Sequence, residues 1–304
     1  MGRGRWPIAA ALLALCAALY VGLPGVAPSF ADDRASEPVR EGEYLLRAGG
    51  CVSCHTGKED DAPFLAGGRA IDSPFGTFYG PNITPDPETG IGGWSERDFE
   101  RALRHGRNPS GSHYYPAFPY TTYSRMRSED VAALWAYLQT VEPVQRENRP
   151  HELDWFARFR PGIAVWKFLH FRPEAFEPDA DADDEWNRGA YLSSALAHCA
   201  ECHSPRTRTG GIKPGLRYAG ARMAGGDIAP NITPDRETGI GSWSGRHLMR
   251  YLDLGMDPDG DFAGSAMGDV ISEGTSFLTD SDRRALVVYF RSLEPIRHEV
   301  PPAD

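Results

Sequence analysis

"CVSCH" at residues 51–55 recurs as "CAECH" at 199–203, 148 residues further on. The match extends well beyond five residues. "GPNITPDPETGIGGWS" at 80–95 pairs with "APNITPDRETGIGSWS" at 229–244, and the two differ at only three of sixteen positions. "EGEYLLRAGGCVSCH" lines up with "NRGAYLSSALAHCAECH", and "SEDVAALWAYLQTVEPV" with "SDRRALVVYFRSLEPI". Both halves therefore run short helix, CxxCH, loop, NITPD, helix, loop, final helix. A repeat of this period reads as a duplicated domain rather than a solenoid.

The rest of the chain fits that plan. Its 304 residues suit about two domains. The reading divides it into 1–31, a signal peptide or N-terminal anchor; 32–140, the first domain; 141–185, a connector; and 186–304, the second domain. In the first segment no charge falls between Arg5 and Asp32, and small residues stand at Ser29 and Ala31. Cleavage after Ala31 fits an export signal, and retention as one membrane-spanning anchor fits the length of the apolar run. Net charge is −10, and removing the segment's two arginines would take it to −12. That balance excludes nucleic acid as a partner, because phosphates need a basic face. It suits a solvated exported surface or docking to a basic partner.

Helices are marked by their caps. Ser95 with Asp98 opens "ERDFERALRHG" and Gly106 closes it; Ser128 opens "EDVAALWAYLQ"; Thr279 with Asp282 opens the last helix. No alternating strand pattern stands out, so the expected fold class is all-α. The connector is rich in aromatics, including Trp155, Phe156, Phe159, Trp166, Phe168 and Phe171, and is expected to pack against both domains.

Of five cysteines, Cys16 lies in the export segment and the other four make the two CxxC pairs. Structural zinc needs four ligands, and each motif offers three. A thiol–disulfide oxidoreductase needs a thioredoxin-like α/β unit, which the pattern lacks. Covalent haem c fits. Two cysteines separated by two residues reach two vinyl groups, and the next residue, His55 or His203, becomes the proximal iron ligand. Two haems c per chain are expected, bound through Cys51 and Cys54 and through Cys199 and Cys202. They would also supply apolar core to domains rich in glycine and proline.

The segments "CVSCHT", "GTFYGPNITPDPETGIGGWSERDFERALRHG", "YYPAFPYTTYSRM", "WNRGAYL" and "CAECHSPR" resemble the class I cytochrome c superfamily. More closely, they resemble the cytochrome c subunits of periplasmic alcohol and gluconate dehydrogenases. The similarity covers almost all of 38–296. It implies two tandem class I cytochrome c domains that carry single electrons from a periplasmic dehydrogenase to a membrane oxidase or another cytochrome. Such a protein would be periplasmic, with membrane association if the first segment is retained. Members often carry three haem domains, whereas this sequence shows two. The resemblance also implies that the carbonyls of Pro81 and Pro230 orient the proximal histidines, and it puts the sixth ligand of the second haem at Met267, in the loop before the last helix.

The position matching Met267 in the first half is Phe118. Between the export segment and Met223 the sole methionine is Met126, so a methionine ligand drawn from the first domain must be Met126. His113, His105 and an open sixth position are the alternatives. An open position would suit a dihaem enzyme instead of a carrier, such as a peroxidase or a thiosulfate-oxidising cytochrome.

Overall fold

Two reciprocal caps and two glycine crossings organise the computed structural model, which describes residues 36–300. The segment 1–31 lies outside the described residues. In the first half the helices are α1 (Glu37–Ala48), α2 (Cys51–His55), α3 (Glu96–His105), α4 (Tyr120–Tyr123) and α5 (Ser128–Leu138). The connector carries α6 (Pro161–His170). In the second half they are α7 (Asp184–Tyr191), α8 (Cys199–Cys202), α9 (Gly245–Leu254), α10 (Ser265–Glu273) and α11 (Asp280–Ser292).

The capping signals act as read. The Ser95 hydroxyl accepts from the Asp98 N–H at 3.2 Å, and the Asp98 carboxylate accepts from the Ser95 N–H at 3.1 Å. Gly106 ends α3 in the left-handed conformation, with φ 53°. Thr279 caps α11 through the Asp282 N–H. Ser128 proves to be the first residue of α5, and Arg127 holds the cap position.

Short strands are present where none was expected. β1 (Ala70–Ser73) and β2 (Gly76–Tyr79) form a hairpin, to which β3 (Glu152–Leu153) from the connector adds antiparallel to β2. β4 (Ala221–Arg222) and β5 (Ile228–Ala229) form a smaller pair. Strands of two to four residues are too short to show alternation in a sequence.

In each half the first and last helices pack directly: α1 on α5, and α7 on α11. Each contact needs a glycine. A Cβ on Gly42 would lie 2.0 Å from the Ala133 carbonyl oxygen, and one on Gly189 would lie 2.0 Å from that of Ala285. No side chain fits at that distance, so both backbones touch.

The halves also exchange a tyrosine. Tyr44 of α1 donates to the Asp282 carboxylate at 2.6 Å and accepts from the Thr279 N–H at 3.2 Å, so it caps α11 of the other half. Tyr191 of α7 does the same for α5: it donates to Asp130 and accepts from the Arg127 N–H at 3.1 Å. Residue for residue, this is the reciprocity of a two-fold interface, here within one chain. The described residues 36–300 accordingly form one unit.

The connector packs on both halves, as its His170 to Thr209 bond at 2.9 Å shows, but with one face only. Leu153, Ile163 and Lys167 are buried, and the Phe171 ring lies 5.0 Å from Tyr120. Yet Trp155, Phe159 and Phe168 are 85%, 67% and 83% exposed. The connector packs along one side only.

Two outcomes follow from these contacts. Gly42→Ala and Gly189→Ala should each lower stability by about 3 kcal/mol, read from the denaturant midpoint, because an added methyl must push two helices apart. Asp282→Asn should lower it by about 3 kcal/mol at pH 7, because Arg188 and Tyr44 lose their charged partner. Burial raises the Asp282 pKa, but hydrogen bonds from Arg188 and Tyr44 outweigh that and hold it below the ordinary value. A lowered carboxyl pKa stabilises above the unfolded value of roughly 4 and is lost as pH falls through the folded one. The difference between wild type and variant should therefore shrink below about pH 4.

Candidate haem-binding site

α1 ends at Ala48, and two residues later α2 begins. Gly50 makes the turn at φ 68°, a conformation glycine adopts without cost. α2 then sets Cys51 and Cys54 three apart, with His55 directly after, so all three sit on neighbouring turns of one short helix. The four cysteines are half-buried. Burial pushes Cys51 up to about 12 and Cys202 up to about 11, and it raises Cys54 and Cys199 as well. Among the described residues no three of His, Cys, Asp and Glu gather closely enough to hold a metal.

The His55 Nδ1 lies 2.7 Å from the Pro81 carbonyl oxygen, and the His203 Nδ1 lies 2.7 Å from that of Pro230. A carbonyl only accepts, so in both rings Nδ1 carries the proton and Nε2 keeps its lone pair. Burial lowers both imidazole pKa values and keeps the rings neutral. Each proline carbonyl is held by its own loop. Asn82 donates to the Val144 carbonyl at 2.7 Å, and Asn231 donates to that of Ile296 at 2.7 Å. These bonds tie the NITPD loop to the chain just after the last helix of its half.

Cys51, Cys54 and His55 open onto a cavity of about 500 Å³. Leu45 and Leu46 of α1, Leu103 of α3, and Leu134 and Leu138 of α5 give it an apolar wall. Met126 belongs to that wall and is 1% exposed; Phe118 belongs to it too. α4 lifts the chain between them, and Arg104 anchors the Met126 carbonyl at 2.9 Å. His113 and His105 do not line this cavity. They flank a separate surface depression with Lys167. Met267 is half-buried on the first turn of α10, so it stands on a helix where a loop was expected, and it is not part of the cavity wall.

The sequence reading missed five wall residues from the connector, among them Arg149, His151 and Arg160. The His151 Nδ1 accepts from the Tyr79 N–H at 3.1 Å, so its proton sits on Nε2, which is then a donor rather than a metal ligand. These positions lie outside the repeat, and nothing in the local pattern marks them.

The two CxxCH segments meet. His198 takes the place of Gly50 in the second half, at φ 42°. Its Nε2 lies where a Gly50 side chain would need space, 3.0 Å from an ideal Cβ, and its ring is 5.9 Å from that of Tyr123. Tyr123 donates to the Gly49 carbonyl, while Thr121 and Thr122 donate to Glu201 at 2.8 and 3.1 Å. α4 thus joins both motifs. Burial raises the Glu201 pKa, but Arg206 and the threonine donors outweigh that and hold it ionised.

An apolar cavity faced by paired thiols and a histidine with a free Nε2 fits covalent haem, and a small helical fold of this kind defines a c-type cytochrome. The cytochrome c family profile matches residues 39–142. A protein described as "Diheme cytochrome c-type" from Cereibacter sphaeroides is 41% identical over 260 residues, covering 84% of this chain and 86% of the relative. The fructose dehydrogenase cytochrome subunit of Gluconobacter japonicus is 41% identical over 263 residues, covering 84% of this chain and 52% of the relative. The gluconate 2-dehydrogenase cytochrome c subunit of Pantoea cypripedii is 39% identical over 276 residues, covering 87% and 62%. The chain thus spans about half to three-fifths of these two dehydrogenase subunits. It belongs to the dihaem c-type cytochromes.

Asn82→Ala should lower stability by about 2 kcal/mol, because it frees the Val144 carbonyl and the Thr89 hydroxyl from a buried bond. Chemical denaturation of wild type and variant measures the difference. Asn231→Ala should do the same for the second half.

Proposed function

We propose that the protein carries single electrons from a periplasmic dehydrogenase to a membrane oxidase or another cytochrome. It would do so as two tandem cytochrome c domains, 32–140 and 186–304, bridged by the connector 141–185. The observation that carries this reading is the meeting of Cys51, Cys54, His55 and Met126 at one apolar cavity. Bound haem iron supplies the one-electron chemistry. The chain's own residues do the rest. Cys51 with Cys54, and Cys199 with Cys202, hold the group through thioethers. His55 and His203 present Nε2 to the metal, oriented by Pro81 and Pro230. Met126 would hold the iron in the first domain and Met267 in the second. The leucine wall excludes water, while Arg149, Arg160 and His151 bring donors suited to carboxylates. Gly49, His198 and α4 hold the two motifs together, which favours exchange between centres within one chain. Met126 at the wall favours a closed sixth position, and so a carrier over a dihaem enzyme.

Mass spectrometry of the denatured holoprotein should show two haem adducts. Cys51→Ala combined with Cys54→Ala should leave one. A single adduct in the wild type would sink the two-haem reading.

Met126→Ala should turn one haem high-spin and let it bind carbon monoxide when reduced, while the other stays six-coordinate. Met267→Ala should open only the second. An unchanged spectrum in either variant removes that methionine from the ligand set. Carbon monoxide binding by the wild type would revive the enzyme alternative.

A further inference from the structure

The connector displays an apolar surface that the fold leaves uncovered. Among the described residues eleven large apolar side chains are exposed. Seven of them belong to the stretch 155–169 or touch it, so the exposure is concentrated rather than scattered. Phe75 and Trp155 both pack edge-on against Phe156, with ring centres 6.2 and 6.0 Å away.

α6 is an amphipathic helix turned inside out. Ile163 and Lys167, one turn apart, face the protein and are buried. Lys167 donates to the His105 and Gly106 carbonyls at the end of α3. The outward positions are Pro161, Ala164, Val165, Phe168 and Leu169, spaced i, i+3, i+4, i+7 and i+8, and all are exposed. That spacing makes one continuous helical stripe. The stripe offers no hydrogen-bonding side chain. Around it the charge is mainly basic, with Asp154 and Glu174 at its two ends. Residues 155–173 contain Arg158, Arg160, Lys167 and Arg172 and no carboxylate, in a chain whose net charge is −10. The three arginines are exposed.

We propose that this face docks on an anionic phospholipid surface, with α6 lying flat in the headgroup region. Phe159, Val165, Phe168 and Leu169 enter the interface, and Arg158 and Arg172 meet lipid phosphates. Ten residues of helix reach about 15 Å, half the hydrocarbon thickness, so α6 lies on the membrane and does not cross it. An apolar stripe beside basic side chains, with aromatic residues at its edge, is the pattern of an interfacial helix. The proposal does not depend on how many haems are bound.

The test uses the full exported holoprotein with vesicles of phosphatidylglycerol and phosphatidylcholine mixed, or of phosphatidylcholine alone. Flotation should show preference for the anionic vesicles. Arg158→Gln with Arg172→Gln should weaken that preference by about fivefold for each arginine removed. The combined variant Phe159→Ser, Phe168→Ser, Leu169→Ser should bind the anionic vesicles about tenfold or more weakly. All three residues are exposed, so an unchanged haem spectrum serves as the folding check. Hydrogen exchange keeps the test decisive if an N-terminal anchor also holds the protein to vesicles. Deuterium uptake across 154–172 should fall on adding anionic vesicles in the wild type and not in the serine variant. Unchanged uptake in the wild type overturns the proposal. So does a lipid-free dimer in sedimentation velocity that the serine variant abolishes, because the face would then cover a second copy. A complex with a purified dehydrogenase subunit that the same variant abolishes, with vesicle binding unchanged, overturns it as well.

Discussion

The contact on which the rest depends is the backbone-to-backbone crossing of first and last helices, made by Gly42 on Ala133 and by Gly189 on Ala285. α1 runs into the Cys51 motif after two residues, so the crossing decides where the thiols and His55 stand. α5 begins two residues after Met126, so the same crossing decides how far that methionine reaches into the cavity. An added methyl at either glycine would shift both ends of the site at once. Close packing makes such displacement costly, because an interior of normal density has no void to absorb it.

The tyrosine exchange ties the two crossings together. Tyr44 caps the last helix of the second half while Tyr191 caps the last helix of the first. Each hydroxyl serves a carboxylate and a helix-opening N–H, so a helix end that would otherwise face water is satisfied by the opposite half. Further links are laid over this pair. Arg69 and Lys58 reach Asp269 of α10, and Arg47 stacks 3.9 Å over Phe277. The halves are alike in scaffold and unlike at the edges. Gly50 is matched by His198, and Met126 by Leu278. Those differences fall beside the candidate haem groups and give the two centres different surroundings.

The sequence by itself determined what depends on short spacing. The two CxxCH motifs, the NITPD loops and the caps at Ser95 and Thr279 are legible because each is written within one turn or in duplicate, while the pairing of Pro81 with His55 came from the family resemblance. The helical character of the protein, its place among the c-type cytochromes and the candidate covalent ligands follow from that. Tertiary structure alone decided the remainder. Tyr44 reads locally as an apolar-face residue, and only the meeting of two halves makes it a cap 238 positions away. His151 and Arg149 belong to the cavity because β3 pairs with β2 and carries them there. Met267 stands on α10 and not in a loop, since residues 265–273 wind into a helix that packs against α2. The six aromatics named in the connector look in sequence like core residues, yet four of them face outward. Composition counts apolar side chains but carries no direction. Which side of α6 is covered depends on where α3 ends, and that is set by contacts far apart in the chain.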